Sequence, residues 1–513
     1  MSNIPKPQPS GRTATLPRRM VALAATGILA AFGGSVPALA EATVPEPVHV
    51  DGEVTLTGLD HPVRVELGTV PVSAGADTPS ATAGYLSYTG RAVRKGSDAA
   101  EARPVVFAFN GGPGASAAFL HMGVLGPRLA HVPQDPNAPD QTSTGTIPGS
   151  AALYEAADVV FIDPPGTGFS ERPEGDAAAS YSTVSGDAEA AAQLVKQWLD
   201  DHGRAEAPIY VLGESYGTIR AVGMLDALDG LGLGKNLRGV ILLGQALNMI
   251  ETSQRPDNVV TYAVSLPTLA AIACYHGMAQ QPCTAESITA EAALFARTEY
   301  LPALYRGRDL PQADRERLAT RLERLTGIPA AFYLDHDLRI SKERFRVELL
   351  RAKGKVTGRY DARYLADRPA EVTTMMRGDP SSPISAIYGE AMTTYLADTL
   401  KVSKANRYKI LARFEGGWRY GAADSPFSDW PFMATVEQHA ETNACLRVFV
   451  GTGIYDTTTT IGAADYLFAQ SSLPESRYRN ERYVGGHVFY SDDASRARFQ
   501  SDLVDFIKAD TCA

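Results

Sequence analysis

Residues Gly213–Gly217 read Gly-Glu-Ser-Tyr-Gly, which is the spacing of a nucleophilic serine. They fit G-x-S-x-G, follow the apolar run Ile209–Leu212 and precede a helix-like segment, Thr218–Leu228. In that context the serine sits on a strained strand-to-helix turn, with its hydroxyl exposed for attack on an acyl group. Small flanking residues are needed because larger side chains would collide in so sharp a turn. Ser215 is therefore the candidate nucleophile, and an ordinary surface turn is the alternative.

A serine nucleophile needs a base, and the sequence holds nine histidines. His487 lies in a glycine-rich turn before the last helix-like segment, and Asp456 follows the apolar run Leu446–Val450. After such a serine, the acid and then the base follow along the chain. Neutral His487 would take the hydroxyl proton, and Asp456 would fix its tautomer and stabilise the imidazolium that forms. The alternatives lie in helix-like segments: His276 and His439 for the base, and Asp465 for the acid.

A second glycine-rich loop, Asn110–Gly114, follows the apolar run Val105–Phe109. Its small residues let backbone N–H groups approach a substrate closely. The N–H groups of Gly112 and Tyr216 are therefore the predicted donors to the oxyanion that forms during acyl transfer. A phosphate-binding glycine loop or a plain turn is the alternative, and the lack of a following Lys-Ser or Lys-Thr disfavours a nucleotide-binding loop.

The run Asp335-His336-Asp337 superficially resembles a metal-binding cluster. Adjacent residues rarely point at one ion, so an exposed turn is the better interpretation. We therefore predict neither a metal nor an organic cofactor.

The elements that must position these residues have the pattern of a parallel sheet covered by helices. Short, continuously apolar runs are typical of strands buried on both faces. The runs are Val105–Phe109, Val159–Ile162, Ile209–Leu212 and Val240–Leu243. Alternating segments at Val54–Thr57 and Val63–Leu67 predict antiparallel strands before them. A helical pattern covers Asp187–Asp200, with Asp187 as its predicted cap, so the fold class is α/β.

The chain divides into four predicted stretches. Residues 1–40 form a leader, 41–250 the first part of the α/β core, 251–435 a helical cap insertion, and 436–513 the second part of the core. The third stretch is rich in helix formers and charge and lacks obvious buried strands. It therefore predicts a cap over the sheet.

The leader has a basic region that ends at Arg18-Arg19, an apolar stretch Met20–Phe32 and a small-residue cleavage pattern at Ala38–Ala40. The apolar stretch is shorter than the roughly 20 residues that span a bilayer. We therefore predict a signal peptide and an exported protein, periplasmic or secreted, with no stable membrane span. An uncleaved anchor is the alternative, and the arginine pair permits the twin-arginine route.

The net charge and the cysteines bear on the partners and the disulfides of the protein. The formal net charge of −10 repels phosphate backbones, so nucleic-acid binding is not expected. Four cysteines in an oxidising compartment favour disulfides, and three pairings are possible. Spacing favours Cys274–Cys283 and Cys445–Cys512, with four reduced thiols as the alternative.

Together these motifs resemble the serine carboxypeptidase family, whose members have the α/β-hydrolase fold. The matching segments are Asn110–Ser116, Phe161–Ser170, Gly213–Gly217, the Asp456 loop and Gly485–His487. The resemblance implies removal of the C-terminal residue from a peptide substrate, through an acyl-enzyme on Ser215. It also implies that Asn110, Gly111 and Glu214 bind the substrate's terminal carboxylate, for which Glu214 must stay protonated.

Two positions depart from the pattern of that family. A tryptophan two residues before the family's asparagine is Ala108 here, and a glutamate expected before a Gly-Pro pair is replaced in Val124–Pro127. The predicted carboxylate-binding network is therefore incomplete. An esterase or acyltransferase with the same triad is the first alternative function, since fold and triad do not fix the acyl donor. An inactive binding protein on a hydrolase scaffold is the second, and the oligomeric state stays open.

Overall fold

The computed structural model describes residues 48–509 and 512, except residues 76–79, 91–102, 139–140, 144, 371–377, 415–416 and 421–429. The predicted leader, residues 1–40, lies outside the described residues. Within them, no helix has the length and apolar character needed to cross a membrane.

The strands form a main sheet and two small two-stranded sheets. In chain order they are β1 Val50–Val54, β2 Val63–Val72, β3 Ala81–Thr89, β4 Val105–Phe109, β5 Arg128–Ala130, β6 Thr146–Pro148, β7 Asp158–Asp163, β8 Ile209–Glu214, β9 Leu237–Leu243, β10 Lys355–Thr357, β11 Leu365–Asp367, β12 Arg447–Gly453 and β13 Tyr478–Tyr483. In the described part of the chain, nine strands make the main sheet, in the order β1-β2-β3-β7-β4-β8-β9-β12-β13. The first three pair antiparallel and the last six pair parallel.

Helices cover both faces of this sheet and fill the predicted cap. They are α1 Ala118–Leu120, α2 Ala151–Ala156, α3 Val184–His202, α4 Tyr216–Gly230, α5 Met249–Thr252, α6 Val259–Tyr275, α7 Ala285–Phe295, α8 Leu301–Arg306, α9 Gln312–Thr326, α10 Ala330–Asp335, α11 Lys342–Glu348, α12 Ser382–Thr394, α13 Phe432–Thr442, α14 Ile461–Ala469 and α15 Asp493–Lys508. A mostly parallel sheet between helices is the predicted α/β-hydrolase architecture, which is thereby confirmed.

The apolar runs predicted as buried strands all lie in the main sheet. The run Val105–Phe109 coincides with β4, whose five residues are all buried. The predicted strand Val54–Thr57 is wrong, because β1 ends at Val54 and a turn follows, in which Leu59 N–H donates to Leu56 O at 3.1 Å. Strand β13 was not predicted. It pairs with β12 at the edge of the main sheet. An edge strand has a neighbouring strand on one side only, so it can carry polar residues.

Helix α3 begins earlier than its hydrophobic pattern indicates. Thr183 caps it, because the Thr183 hydroxyl accepts a hydrogen bond from Gly186 N–H at 3.0 Å. The predicted cap, Asp187, is therefore wrong. Its carboxylate is buried and instead accepts a hydrogen bond from Arg220.

The interval predicted as a helical cap contains helices α6–α12 and the short β10–β11 pair. Helices α6–α11 share a hydrophobic cluster of their own, around buried side chains such as Phe295, Leu322 and Phe345. Helix α12 differs, because its Ile384 and Tyr388 pack into the cluster on one face of the main sheet. The division of the chain at residues 251 and 435 stays a prediction.

Both predicted disulfides are present. Cys274 at the end of α6 is bonded to Cys283, nine residues later. Cys445, just before β12, is bonded to Cys512 near the end of the chain. The second bond connects Cys512, which follows α15, to Cys445 just before β12. The Asp456 loop follows that strand.

Candidate active site

Ser215 occupies the sharp turn between β8 and α4. Its backbone has φ 59° and ψ −126°, a strained conformation for a residue other than glycine, which costs about 1–3 kcal/mol. The flanking glycines are required by close approach, since a Cβ at Gly213 would lie 2.0 Å from Gly217 O. Ser215 N–H donates to Leu243 O at 2.9 Å, which ties the turn to β9. The sequence thus places the half-buried serine on a tightly held turn.

His487 and Asp456 are brought together by loops after β12 and β13. The imidazole Nδ1 lies 2.6 Å from Asp456 Oδ2, and Asp456 is fully buried. The Thr458 and Thr459 hydroxyls donate to the two carboxylate oxygens at 2.5 Å each. From the cap side, Tyr360 O accepts a hydrogen bond from His487 N–H at 2.6 Å. Carboxylate, imidazole and loop are therefore all held in place.

The electrostatics of this pair suit a base and its orienting acid. Burial raises the pKa of Asp456, but the charge of His487 and the hydrogen bonds outweigh it, so the pKa lies below its ordinary value. Burial lowers the pKa of His487, but the charge and hydrogen bond of Asp456 prevail, so the pKa is raised. Asp456 hence stays ionised and can stabilise an imidazolium.

Ser215 and His487 line one cavity of about 190 Å³. Asn110, Gly111 and Gly112 also line it, and so does Glu214. Residues from the interval predicted as a cap complete the lining: Tyr360, Asp361, Ser381, Ser382, Ile384, Ser385 and Leu411. The predicted nucleophile, base and glycine loop therefore line one cavity.

The glycine loop lies directly against the serine turn. A Cβ at Gly111 would sit 2.5 Å from Tyr216 N and 2.6 Å from Glu214 O, so no side chain fits there. Gly112 has φ +102°, a conformation open to glycine. Tyr216 begins α4, where backbone N–H groups and the helix dipole favour negative charge. The arrangement suits the two predicted oxyanion donors, whose role stays a prediction.

Glu214 and Asn110 form a buried polar pair beside the nucleophile. Asn110 Nδ2 donates to Glu214 Oε2, and the Tyr490 hydroxyl donates to Oε1 at 2.8 Å. Asn110 Oδ1 in turn accepts a hydrogen bond from Leu120 N–H at 3.0 Å. Burial raises the pKa of Glu214 to about 7, against the lowering effect of His487 and of the two hydrogen bonds. The carboxyl is therefore neutral in acidic solution.

The alternative site residues are engaged elsewhere. His276 Nε2 lies 2.8 Å from Ala362 O, and His439 Nε2 lies 2.7 Å from Asp226 Oδ1. Asp465, on α14, pairs with Arg482 of the edge strand β13 at 2.7 Å. Among the described residues, no cluster of His, Cys, Asp or Glu could hold a metal ion, and this includes residues 335–337.

The sequence did not predict the residues that support the predicted triad. The threonines after Asp456 had a signal, since short hydroxyl side chains next to a carboxylate commonly hydrogen-bond to it. No local sequence signal marked Tyr490 or the cavity residues of the interval predicted as a cap, because their contacts join positions far apart in the chain.

A buried ion pair, Arg220 with Asp187, connects segments that carry the site residues. Arg220 Nε donates to Asp187 Oδ2 at 2.8 Å, and its Nη1 donates to Asn110 O at 2.7 Å. The Tyr216 hydroxyl donates to the same Asp187 oxygen at 3.0 Å. Arg220 thus links the serine helix to the glycine loop.

Replacing Arg220 with methionine should lower the free energy of unfolding by about 3–5 kcal/mol, because Asp187 is left buried without its charge partner. Urea denaturation measures the change. Lys235→Met is the control: its partner Glu206 is exposed, so at most about 1 kcal/mol is expected. Equal effects of the two substitutions would contradict a structural role for the buried pair.

Comparison with known proteins gives a direct family match. The model of the serine carboxypeptidase family matches residues 86–224. The predicted resemblance is confirmed over that stretch. It contains the glycine loop and Ser215 but neither Asp456 nor His487. Family match and site geometry together support a serine hydrolase.

Solved structures of α/β-hydrolases are also similar at low sequence identity. A peroxisomal α/β-hydrolase of Saccharomyces cerevisiae is 11% identical, with 86% of this chain and 89% of that chain covered and a TM-score of 0.35. An acetylester hydrolase of Corynebacterium glutamicum is 11% identical, with 86% and 96% covered and a TM-score of 0.35. An esterase of Pyrococcus furiosus is 10% identical, with 90% and 91% covered and a TM-score of 0.31. No curated protein matches the chain significantly.

Proposed function

We propose that the chain is a serine-type carboxypeptidase, which removes the C-terminal residue of peptides through an acyl-enzyme on Ser215. The observation that carries the proposal is the buried Glu214, which is hydrogen-bonded to Asn110 and lines the same cavity as Ser215. A protonated carboxyl and an amide can both donate hydrogen bonds to a carboxylate, whereas an ionised glutamate would repel it. Asn110 and Glu214 are thus the proposed receptor for the terminal carboxylate, in the cavity that Ser215 lines.

In the proposed mechanism, Ser215 Oγ attacks the carbonyl of the last peptide bond while His487 takes the hydroxyl proton. Asp456 stabilises the imidazolium, and the N–H groups of Gly112 and Tyr216 bind the oxyanion. His487 then gives the proton to the leaving amine, and the C-terminal amino acid departs. Water, activated by the same base, releases the remaining peptide from Ser215. The strained turn and the rigid pair at His487 keep these groups in register throughout.

An N-blocked dipeptide and its C-terminally amidated twin test the proposal. We expect the acid to be cleaved with a kcat/KM about 100-fold higher than the amide, because two hydrogen bonds to a carboxylate are lost. Release of the free amino acid is followed by amine labelling. Equal rates on both substrates, or hydrolysis of simple esters alone, would contradict the proposal and favour the esterase or acyltransferase alternative.

The pH dependence follows from the Glu214 carboxyl. Its pKa of about 7 means that the neutral, binding form dominates below that pH. Above it, KM for the acid should rise about tenfold per pH unit, while KM for the amide should not. The pKa of His487 is raised, and a protonated imidazole cannot accept the serine proton. We therefore expect kcat to fall as the pH is lowered, whereas KM for the acid rises as the pH is raised. Steady-state kinetics across pH 5–9 measure both.

Glu214→Gln is the matched variant for that experiment. Its amide keeps a donor for the carboxylate and does not titrate, so the rise of KM with pH should disappear. A rise that persists in this variant would show that another group controls binding.

The disulfides support an exported protein. Two cross-links, Cys274–Cys283 and Cys445–Cys512, fit an oxidising compartment such as the periplasm or the exterior of the cell. Detection of the mature protein outside the cytoplasm, with its N-terminus near Glu41, would test this part of the proposal.

A further inference from the structure

Lys342 connects the interval predicted as a cap to the loop that carries Asp456. It is the first residue of α11, and Ser341 caps this helix by accepting a hydrogen bond from Arg344 N–H at 3.1 Å. Lys342 Nζ donates a hydrogen bond to Thr458 O at 3.1 Å. The lysine side chain thus reaches a backbone carbonyl two residues after the predicted triad acid.

Thr458 joins the amine of Lys342 to the acid and the base. Its backbone N–H donates to Asp456 Oδ1 at 2.7 Å, and its hydroxyl donates to the same oxygen at 2.5 Å. The Thr458 hydroxyl also lies 3.0 Å from His487 Nδ1. A shift of Thr458 would therefore disturb the carboxylate and the imidazole, whose own contact is 2.6 Å long.

The same interval also contacts both triad loops through its backbone. The Thr457 hydroxyl donates to Arg359 O at 2.7 Å, and His487 N–H donates to Tyr360 O at 2.6 Å. A Cβ at Gly486 would lie 2.1 Å from Tyr360 O, so the base loop packs here without room for a side chain. The acid and base loops are therefore both fixed against this interval.

The charges near Lys342 favour an interaction with Asp456. Glu343, the next residue, is paired with Arg346 and with Arg359 at 2.6 Å each. Burial lowers the pKa of Lys342, against the charges of Asp456 and then Glu343, which favour the ammonium form. Because two arginines already engage Glu343, Asp456 is the carboxylate whose charge Lys342 offsets.

We propose that Lys342 is a positioning residue of the triad, which holds Thr458 against Asp456 and places a positive charge behind the carboxylate. The inference rests on the triad of the proposed function. Lys342 is not among the described residues that line the cavity, and it acts through Thr458 and Asp456.

The positive charge of Lys342 opposes protonation of His487. The ionisable groups that face the imidazole or the cavity beside it are Asp456, Glu214, Tyr360 and Asp361. The charges of Asp456 and Glu214 raise the pKa of His487, whereas burial raises the pKa of Tyr360 and keeps it neutral. Without the lysine charge the two carboxylates are less compensated, so the pKa of His487 should rise further.

Lys342→Met tests the proposal through the rate at which a fluorophosphonate labels Ser215 between about pH 5 and 9. Labelling needs neutral His487, so its pH midpoint reports on the base whatever the natural substrate is. For K342M, we expect the maximal rate to fall about tenfold and the midpoint to move up by about one pH unit. Lys342→Arg keeps a charge and a donor, so it should restore the midpoint and most of the rate.

Lys355→Met is the matched control. Lys355 belongs to the same interval, and its Nζ pairs with the exposed Asp367 at 2.6 Å, so its rate and midpoint should equal those of the parent. A midpoint in K342M equal to that of the parent would overturn the inference, and so would a K342R protein as impaired as K342M. If the parent is labelled but shows no preference for the dipeptide acid over its amide, the carboxypeptidase proposal fails while the role of Lys342 stands.

Discussion

Replacing Ser215 with alanine should lower kcat for peptide hydrolysis by a factor on the order of 10⁴–10⁶, with little change in substrate binding. The reason is that Ser215 is the proposed source of the attacking oxygen and that, among the described residues, the cavity offers no second hydroxyl on a comparably strained turn. Active-site titration followed by steady-state kinetics measures the loss. Ser472→Ala, an exposed serine outside the cavity, is the control and should keep full activity.

A covalent probe separates loss of the nucleophile from loss of the fold. A fluorophosphonate should label the parent chain at Ser215, as mapped by mass spectrometry, and should leave S215A unlabelled. Residual activity in S215A above a few per cent, or labelling of another serine, would contradict the assignment of the nucleophile. An unlabelled parent chain with intact stability would instead support the inactive binding protein.

Replacing Asp456 with asparagine is expected to lower kcat by about 10⁴ while KM changes little. The buried carboxylate accepts a hydrogen bond from His487 Nδ1 and leaves Nε2 free to take the serine proton. An asparagine amide would donate to Nδ1 and stabilise the wrong tautomer, and the ionic stabilisation of the imidazolium would be lost. The Thr458 and Thr459 hydroxyls each donate to one oxygen of the carboxylate. Asparagine keeps only one of these two acceptor oxygens.

Asp465→Asn is the matched control for that substitution. Asp465 lies on α14, nine residues after Asp456, and pairs with Arg482 in a half-exposed position. We expect its kcat to stay within about twofold of the parent, because a pair of this kind contributes at most about 1 kcal/mol. A loss of less than tenfold in D456N, or equal losses in the two variants, would show that Asp456 is not the orienting acid.

Local patterns in the sequence predicted the parts of this site that depend on nearby residues. The serine turn and strand β4 were found because glycine spacing and continuous burial leave clear local signals. Strand β13 was missed because an edge strand carries polar residues on its open side. The cap of α3 was misassigned to Asp187 because the hydrophobic pattern begins one turn after the helix does.

Long-range contacts account for what the sequence did not predict. Tyr490 contacts Glu214 across 276 positions, and no local pattern marks that pairing. In the same way, Tyr360 and Ser381 line the cavity although they belong to a stretch of sequence with no motif of its own.

The most direct test of the central claim is the mass spectrum of a ten-residue peptide after incubation with the mature protein. We expect a ladder of products, each shorter by one residue from the C-terminus, with no ladder from S215A and a much slower one from the same peptide with an amidated C-terminus. Cleavage at an internal bond, loss of residues from the N-terminus, or equal rates on the free and amidated peptides would contradict the account.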